Sequence, residues 1–560
     1  MRKTSKIALW TVVLAVAAGF IYLAASADRL FGCARMVHRV LVPGNFNPSD
    51  ARMEGGSTDS RLRDYLLDYW SRKPMPDWQK KAKVDVPRIM IACLLSGKRV
   101  EEVNRVLAAQ VPNATIGSTW YLHRHGDYDF TLMALTPMLY FFGDRPEVLY
   151  PATREHLLKV LLNVEGGRWD DKVPRSLGRI GDTENHLLMI NGSRYLKNRW
   201  LRLHGNKDET FDNHANGLER KLLDYLLEIY QEGVYEFNAN PYQGYTLSAL
   251  LNLDAFGGDS VKLMASRLLD RMNWDYALGS FDFRRFPPFR RRYSRAASTG
   301  LDGDYQAAMM KTWISFYLDS PDLKIRRGQH QALWAAIMPY RPPAGVIELT
   351  LKKRAPYFVK MGHGPQSCPE IYSVDSLGVL TAGGANQGTR SLIIARPITF
   401  ITSDTARELT GVFHLEGPGT DFMGWNNTGV YRDFACAAGP VHVPAGYQAV
   451  AAVNGWQAFR VGAARYLATY STDSLGLMAL CSATDPGALL DKISRDNPPA
   501  RMRKGIFVHP DGDEIGFDVR APRNLWVITE VNHTPTDRQF DGWPMVEIAG
   551  SPLDSAQGMH

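Results

Sequence analysis

Cysteine is scarce in this chain. Its five cysteines, Cys33, Cys93, Cys368, Cys436 and Cys481, are scattered over 560 residues, and no CxxC occurs. That excludes a disulfide framework and leaves at most one bridge among the last three in an oxidising compartment. A Walker A loop, a GxSxG elbow and an HExxH helix are also missing, so nucleotide, esterase and zincin readings lack their residues. Nor does charge of one sign dominate. The 65 Lys and Arg outnumber the 58 Asp and Glu by only seven, with an isoelectric point near 9.0, a balance that moderately suits an acidic partner.

One long uncharged run opens the chain. Residues 7–27 follow Arg2, Lys3 and Lys6 and end in Ala25-Ser26-Ala27, a small-x-small cleavage pattern. The run reads as an export signal cut before Asp28 or, being 21 residues long, as an uncleaved membrane anchor. Leu30-Phe31-Gly32-Cys33 offers lipid attachment at Cys33 as a third route, against which stand Asp28, Arg29 and the bulky Phe31. Each route places the body in the periplasm or outside the cell. Export argues for an anionic polysaccharide as partner and against nucleic acid.

The remainder, over 500 residues, exceeds one compact core and predicts at least two domains. Helical periodicity covers 60–70, 86–95, 100–109, 128–142, 151–164, a stretch from Asp182, 211–232, 240–256, 260–274, 304–318 and 326–337. Arg341-Pro342-Pro343 then breaks the texture. Short β-rich runs follow at 346–351, 357–361, 377–381, 392–395, 398–401, 449–453, 466–470, 475–480, 505–508 and 525–529. Gly, Pro, Asn and Asp separate them, which is the pattern of an antiparallel β-sandwich. The plan is therefore a signal or anchor (1–27), a linker (28–58), a helical domain (59–341) and a β-sandwich domain (342–560).

The strongest helix starts recur. Asp127, Asp182, Asn240 and Asp302 or Asp304 are about 55 to 62 residues apart, with one other helix between each pair, which predicts stacked helical hairpins. If alternate helices form an inner ring, their N-termini open at one rim. That rim would gather His123, His125, Asp127 and Tyr128, then Glu184, Asn185 and His186, then Asn238, Tyr242 and Tyr245. Repeated caps are equally what any all-helical protein shows.

The densest set of polar groups is Gly181-Asp182-Thr183-Glu184-Asn185-His186, running into the apolar Leu187-Leu188-Met189-Ile190. Asp182 or Thr183 can cap the helix, since a short side-chain oxygen satisfies the free N–H groups of a first turn. Asn185 and His186 then sit at the positive end, where an anionic ligand is favoured. The plainer reading makes Asp182 a simple cap, bonds Asn185 to a loop and leaves His186 a satisfied core histidine.

Helical hairpins followed by an antiparallel β-sandwich in an exported chain resemble the alginate lyase and heparinase II/III-like polysaccharide lyases. Asn185-His186, and the tyrosine in Asn240-Pro241-Tyr242-Gln243-Gly244-Tyr245, resemble the Asn-His and Tyr motifs of those enzymes. Thr183-Glu184-Asn185-His186-Leu187-Leu188-Met189-Ile190 with Ser193-Arg194-Tyr195-Leu196, Glu236-Phe237-Asn238-Ala239-Asn240-Pro241-Tyr242 and Pro287-Pro288-Phe289-Arg290-Arg291-Arg292 also resemble segments of a group of exported bacterial proteins. The resemblance implies an incomplete (α/α) toroid over 59–341 and β-elimination on a uronic-acid polysaccharide. Asn185 would donate to the uronate carboxylate, His186 or a tyrosinate would act as base, and Tyr242 would protonate the leaving oxygen. Tyr245, one turn along the same face, is its rival.

Such lyases usually add an arginine near the tyrosine, and none lies just before Tyr242. Arg179, Arg194 or the cluster Arg284, Arg285, Arg290, Arg291, Arg292 and Arg295 would have to fill that role. Arginine matches carboxylate or sulfate bidentately. Substrate contacts are thus expected from His125, Asp127, Arg179, Arg194, Asn238, Arg290, Arg291 and Arg292. Two other classes compete. One is an inverting glycoside hydrolase using Glu184 with Asp127 or Glu236; the other is a non-catalytic glycan-binding envelope protein. No cofactor is expected. His123-Arg124-His125-Gly126-Asp127 lacks the third histidine of a familiar metal pattern, which leaves room only for a structural divalent metal.

Overall fold

The structure, a computed structural model, describes residues 57–76, 85–112, 128–162, 166–172, 181–234, 236–239, 242–281, 283–285, 305–318, 329–353, 356–363, 369–375, 378–383, 398–402, 412–415, 428–522, 524–548 and 551–552. The run at 7–27, Cys33, His123, His125, Asp127, Arg179, Asn240, Pro241, Arg290, Arg291, Arg292, Arg295, Asp302, Asp304 and Cys368 lie outside them. Among the described residues no helix is long and apolar enough to cross a membrane.

Helices come first: α1 (Ser57–Ser71), α2 (Asp85–Leu95), α3 (Val100–Ala108), α4 (Asp129–Phe142), α5 (Pro151–His156), α6 (Glu184–Leu203), α7 (Leu218–Glu232), α8 (Tyr242–Phe256), α9 (Asp259–Leu278), α10 (Tyr305–Tyr317), α11 (His330–Ile337) and α12 (Ala344–Leu351). A two-strand ribbon, β1 (Ser280–Phe281) with β2 (Arg284–Arg285), follows α9. Helix α8 is central, packing against α4, α6, α9, α10 and α11. Every residue from Gln243 to Asp254 is buried, which is why this helix lacks a polar face. On α6 one flank is polar yet buried, and the segment 166–172 accepts several of its hydrogen bonds. Arg194 donates to Arg168 O at 2.5 Å and to Asp170 Oδ2 at 2.6 Å, while Asn198 donates to Gly166 O at 3.0 Å.

The apolar run 346–351, expected as a strand, is instead the helix α12. A short apolar run has no periodicity of its own to choose between the two; here Val346, Ile347 and Thr350 share one buried face. The helix expected over 211–232 begins only at Leu218, because Gly217 takes a left-handed turn at φ 76°. The one expected over 151–164 relaxes into a π turn at Leu157–Leu161.

The sheets are antiparallel throughout the described pairs. One runs β10-β7-β6-β5-β4-β3-β19-β20, built from β3 (Tyr357–Met361), β4 (Glu370–Val374), β5 (Gly378–Gly383), β6 (Ile398–Thr402), β7 (Phe413–Leu415), β10 (Val441–His442), β19 (Glu547–Ile548) and β20 (Ser551–Pro552). A second runs β11-β12-β13-β14-β9-β8, from β8 (Val430–Tyr431), β9 (Phe434–Ala437), β11 (Ala451–Val453), β12 (Trp456–Arg460), β13 (Arg465–Thr472) and β14 (Leu475–Ser482). Helices α13 (Pro486–Asp496) and α14 (Pro499–Arg503) then lead to a third sheet, β15 (Ile506–Val508), β16 (Glu514–Phe517), β17 (Ile528–Val531) and β18 (Thr534–Pro535).

Side chains on the first sheet alternate between two cores, as a pleat requires. Tyr372, Val379 and Ile401 join the helical core. Their neighbours Ile371, Leu380 and Phe400 join the core shared with the second sheet. Both faces are therefore covered, so β5 and β6 are buried along their whole length. The joint between helices and sheet is fastened at the C-terminal end of α9: Lys353 Nζ donates to Ala277 O and, at 2.8 Å, to Leu349 O, and the Tyr357 hydroxyl donates to Leu278 O at 2.9 Å. Burial pushes the Lys353 amine down to about 7. Cys436 and Cys481 are buried free thiols, so they do not form the bridge that an oxidising compartment would allow between them.

Candidate active site

Three helix starts meet at one end of the helical core. Asp129, the first residue of α4, places Oδ2 2.5 Å from Nδ1 of His186 in the first turn of α6. The Phe130 ring stands edge-on to His186 at 5.5 Å and to Tyr245 of α8 at 4.5 Å. Asn185 donates its amide to Glu236 Oε2 at 2.6 Å, in the turn that leads into α8. A carboxylate can only accept, so the Asp129 contact keeps the hydrogen on Nδ1 and makes Nε2 the nitrogen that takes up a proton. The His186 side chain is 16% exposed and that of Asp129 is 5% exposed. An oriented imidazole with one edge near solvent is a general base or acid in waiting.

Carboxyl groups crowd this imidazole. Glu184 and Glu236 are buried with Asp129, and Asp182 sits half-buried just before the helix. Asp182 Oδ1 accepts the Thr183 N–H at 2.9 Å, and its own N–H donates to Asp171 O at 3.1 Å. Burial pushes the Asp182 carboxyl up, His186 pulls it back, and the Asp129 and Glu236 carboxylates add to the rise. The helix cap differs from the expected one. Thr183 is the N-cap residue but makes no side-chain cap; its Oγ1 accepts the Asn185 amide at 2.9 Å instead.

Several expected site residues have other partners. Asn185 is fully buried, and its amide hydrogens go to Thr183 and Glu236, so in this arrangement it supports the site rather than donating to a substrate carboxylate. Glu184 is buried and accepts the Glu236 backbone N–H at 2.8 Å, a holding role for a residue weighed as catalytic acid. Tyr245 lies inside the core between Phe130 and His330, whose ring it stacks on at 5.3 Å. Burial, with Arg88 and Lys73 nearby, keeps His330 well below the ordinary histidine range. Arg194, expected to bind substrate, is committed to the segment 166–172 as described. Asn238 is buried, and its Oδ1 accepts from Arg285 Nε at 3.2 Å. Tyr242 stands half-buried at the first position of α8, against the helical core. His125, Asp127, Arg179, Arg290, Arg291 and Arg292 lie outside the described residues.

Arg285 belonged to the run expected to grip an acidic ligand, and it is instead one of the most buried side chains. Its guanidinium donates to Glu370 Oε1 and Oε2 at 3.2 and 3.0 Å and to Asp275 O at 2.8 Å. Tyr372 donates its hydroxyl to Glu370 Oε1 at 2.5 Å, and His363 Nε2 is 3.0 Å from Oε2. Burial alone would raise the Glu370 carboxyl; Arg285, His363 and Tyr372 together hold it below the ordinary range. Gly279 makes room for this packing, since a Cβ there would lie 2.7 Å from the Tyr372 ring and 2.9 Å from Arg285 Nη1.

Sequence reasoning did not single out Asp129, His363 or Glu370, and it weighed Asp182 only as a cap. Asp129 carried a faint signal, an acid at a helix start two residues after Asp127; His363 and Glu370 carried none. Among the described residues no group of three or more His, Cys, Asp or Glu is arranged to hold a metal ion. No protein-family model matches the chain, and comparison with curated proteins finds no match.

Proposed function

We propose that this chain is an exported polysaccharide lyase-like enzyme that cleaves an acidic, uronic-acid polysaccharide by β-elimination. In this reading the helices form an incomplete (α/α) toroid and the sheets an antiparallel β-sandwich domain behind it. The observation that carries the proposal is the His186 imidazole, oriented by Asp129 at 2.5 Å and partly exposed at the meeting of three helix starts. Elimination needs a base for the C5 proton, a group that stabilises negative charge growing on the adjacent carboxylate, and an acid for the departing O4. His186 Nε2 is the base. Asp182, whose carboxyl is held protonated more readily by burial, donates to the carboxylate in place of the committed Asn185. Tyr242 protonates O4.

A second reading rests on the carboxyl groups of Asp129, Asp182 and Glu236 described near His186, which disfavour a uronate. A glycoside hydrolase acting on a less acidic glycan would use Asp182 as the acid, since Glu184 is bonded to backbone. One experiment separates the two. Purified 28–560 is incubated with a panel of uronic-acid polysaccharides while absorbance from a new C4=C5 double bond is followed. A rise that His186→Ala and Tyr242→Phe abolish supports elimination. Reducing ends without absorbance support hydrolysis, and binding without either product leaves a glycan-binding protein.

A further inference from the structure

Three consecutive side chains in the turn 236–238 reach three different places. Glu236 Oε2 accepts the Asn185 amide at 2.6 Å. Phe237 lies flat on the His363 ring, with centroids 4.1 Å apart and planes 9° from parallel. Asn238 Oδ1 accepts from Arg285 Nε at 3.2 Å. Asn238 has φ 51°, a left-handed conformation that Asn and Gly tolerate best, and its N–H donates to Gln243 Oε1 of α8. The turn is thus held from the helix on one side and from the sheet on the other.

On the sheet side the holders share one anchor. Arg285, which grips Asn238, and His363, which stacks on Phe237, both end on the Glu370 carboxylate of β4. Glu370 is 0% exposed, Arg285 2% and His363 6%. The approach is close: a Cβ at Gly233, where φ is 77°, would lie 2.9 Å from His363 Nδ1. A buried hydrogen-bonded network of this kind has few alternative arrangements and little slack.

We propose that Glu370 is a positioning residue for the Asn185–His186 corner, acting across the helix–sheet boundary through the turn 236–238. By fixing Arg285 and His363 it fixes Asn238 and Phe237. These set the Glu236 carboxylate, and Glu236 sets the amide of Asn185 beside the reactive imidazole. The sheet then contributes to the site without touching a substrate. The inference rests on reading that corner as the active site, because only there does a displacement of a few tenths of an ångström alter chemistry.

The test uses full-length protein and three variants. Asn238→Gly keeps the left-handed backbone and removes the acceptor for Arg285. Glu370→Gln removes the charge at the anchor. Asp375→Asn is the control, breaking the separate Arg465–Asp375 ion pair of 2.6 Å just beyond β4. Hydrogen–deuterium exchange is followed at amides 236–239 and at 187–190, the first hydrogen-bonded turn of α6. Asn238→Gly and Glu370→Gln should each speed exchange about tenfold at both stretches and leave β13 and β14 as they were. They should also move the His186 ring resonances, which the control should not. Faster exchange confined to 236–239, or equal effects in the control, would overturn the proposal. With an accepted polymer, kcat should fall about tenfold with KM within about twofold. If the native protein turns over no polymer, the lyase reading fails while the exchange result still decides the positioning role.

Discussion

Two buried polar clusters lie on either side of the turn 236–238, one centred on Glu370 and the other on His186. Around Glu370 the charges balance: Arg285 supplies the cation, and His363 and Tyr372 complete the shell of the carboxylate. Around His186 the groups placed by the described residues are mostly carboxyls: those of Asp129, Asp182 and Glu236 bear on one another and on an imidazole that remains partly exposed. Desolvation explains the first arrangement, since a buried charge persists only when it is paired and hydrogen-bonded. The second buries Asp182 among like charges, which raises its proton affinity. Stability alone gives little reason to gather carboxyls beside a partly exposed imidazole, whereas acid–base chemistry does.

The contrast can be broken from either side. Replacing His186 with alanine should lower turnover by about two to four orders of magnitude, the usual contribution of a positioned base. Thermal denaturation should show a smaller loss of stability than at Arg285, because the His186 side chain is 16% exposed and that of Arg285 2%. A matching loss of stability would reduce His186 to a structural residue. Arg285→Met should behave in the opposite way. Removing one partner of a buried pair costs about 3–5 kcal/mol, so urea unfolding should shift strongly, through an uncompensated Glu370. A near-neutral result would mean that the Glu370 cluster carries no stability.

The smallest effect is expected from Asp182→Asn, read as stability against pH. The folded carboxyl is raised above its unfolded value of 3.8, so its stabilising contribution is complete below that value and is lost as pH rises through the folded pKa. The variant should therefore gain on the native protein as pH rises from about 4 towards 7. A variant that instead loses ground over that window would show that the ionised carboxylate is the favoured partner at this position.

Legibility varied with how local the signal was. Helices α2 and α8 were readable to within two residues, because periodicity and helix formers act within a turn or two. Strands β13 and β14 were readable for the same reason, through alternation and flanking turns. Strand β12 was overlooked although Asn454-Gly455, both at positive φ, is the strongest short hairpin signal a sequence offers. Helix α13 was overlooked too, despite Asp485 capping Gly487 N at 2.8 Å ahead of Pro486. At the candidate site Asn185, His186 and Tyr242 were marked out by their neighbours in the chain. Asp129 was not, since it meets His186 from 57 residues away.

By itself the sequence determined that helices come first and strands follow, which faces of those elements are apolar, and that a dense polar stretch starts α6. Each of these is a property of a few adjacent residues: backbone propensity, side-chain period, the chemistry of a turn. Only the tertiary structure decided which polar groups satisfy one another. It turned Arg285 from a surface cation into the buried partner of Glu370, 85 residues away, and Asn185 from a ligand donor into a support for Glu236. Burial is what made those choices, because a desolvated charge or amide must take the partner that packing brings within hydrogen-bond reach, and the sequence does not record that distance.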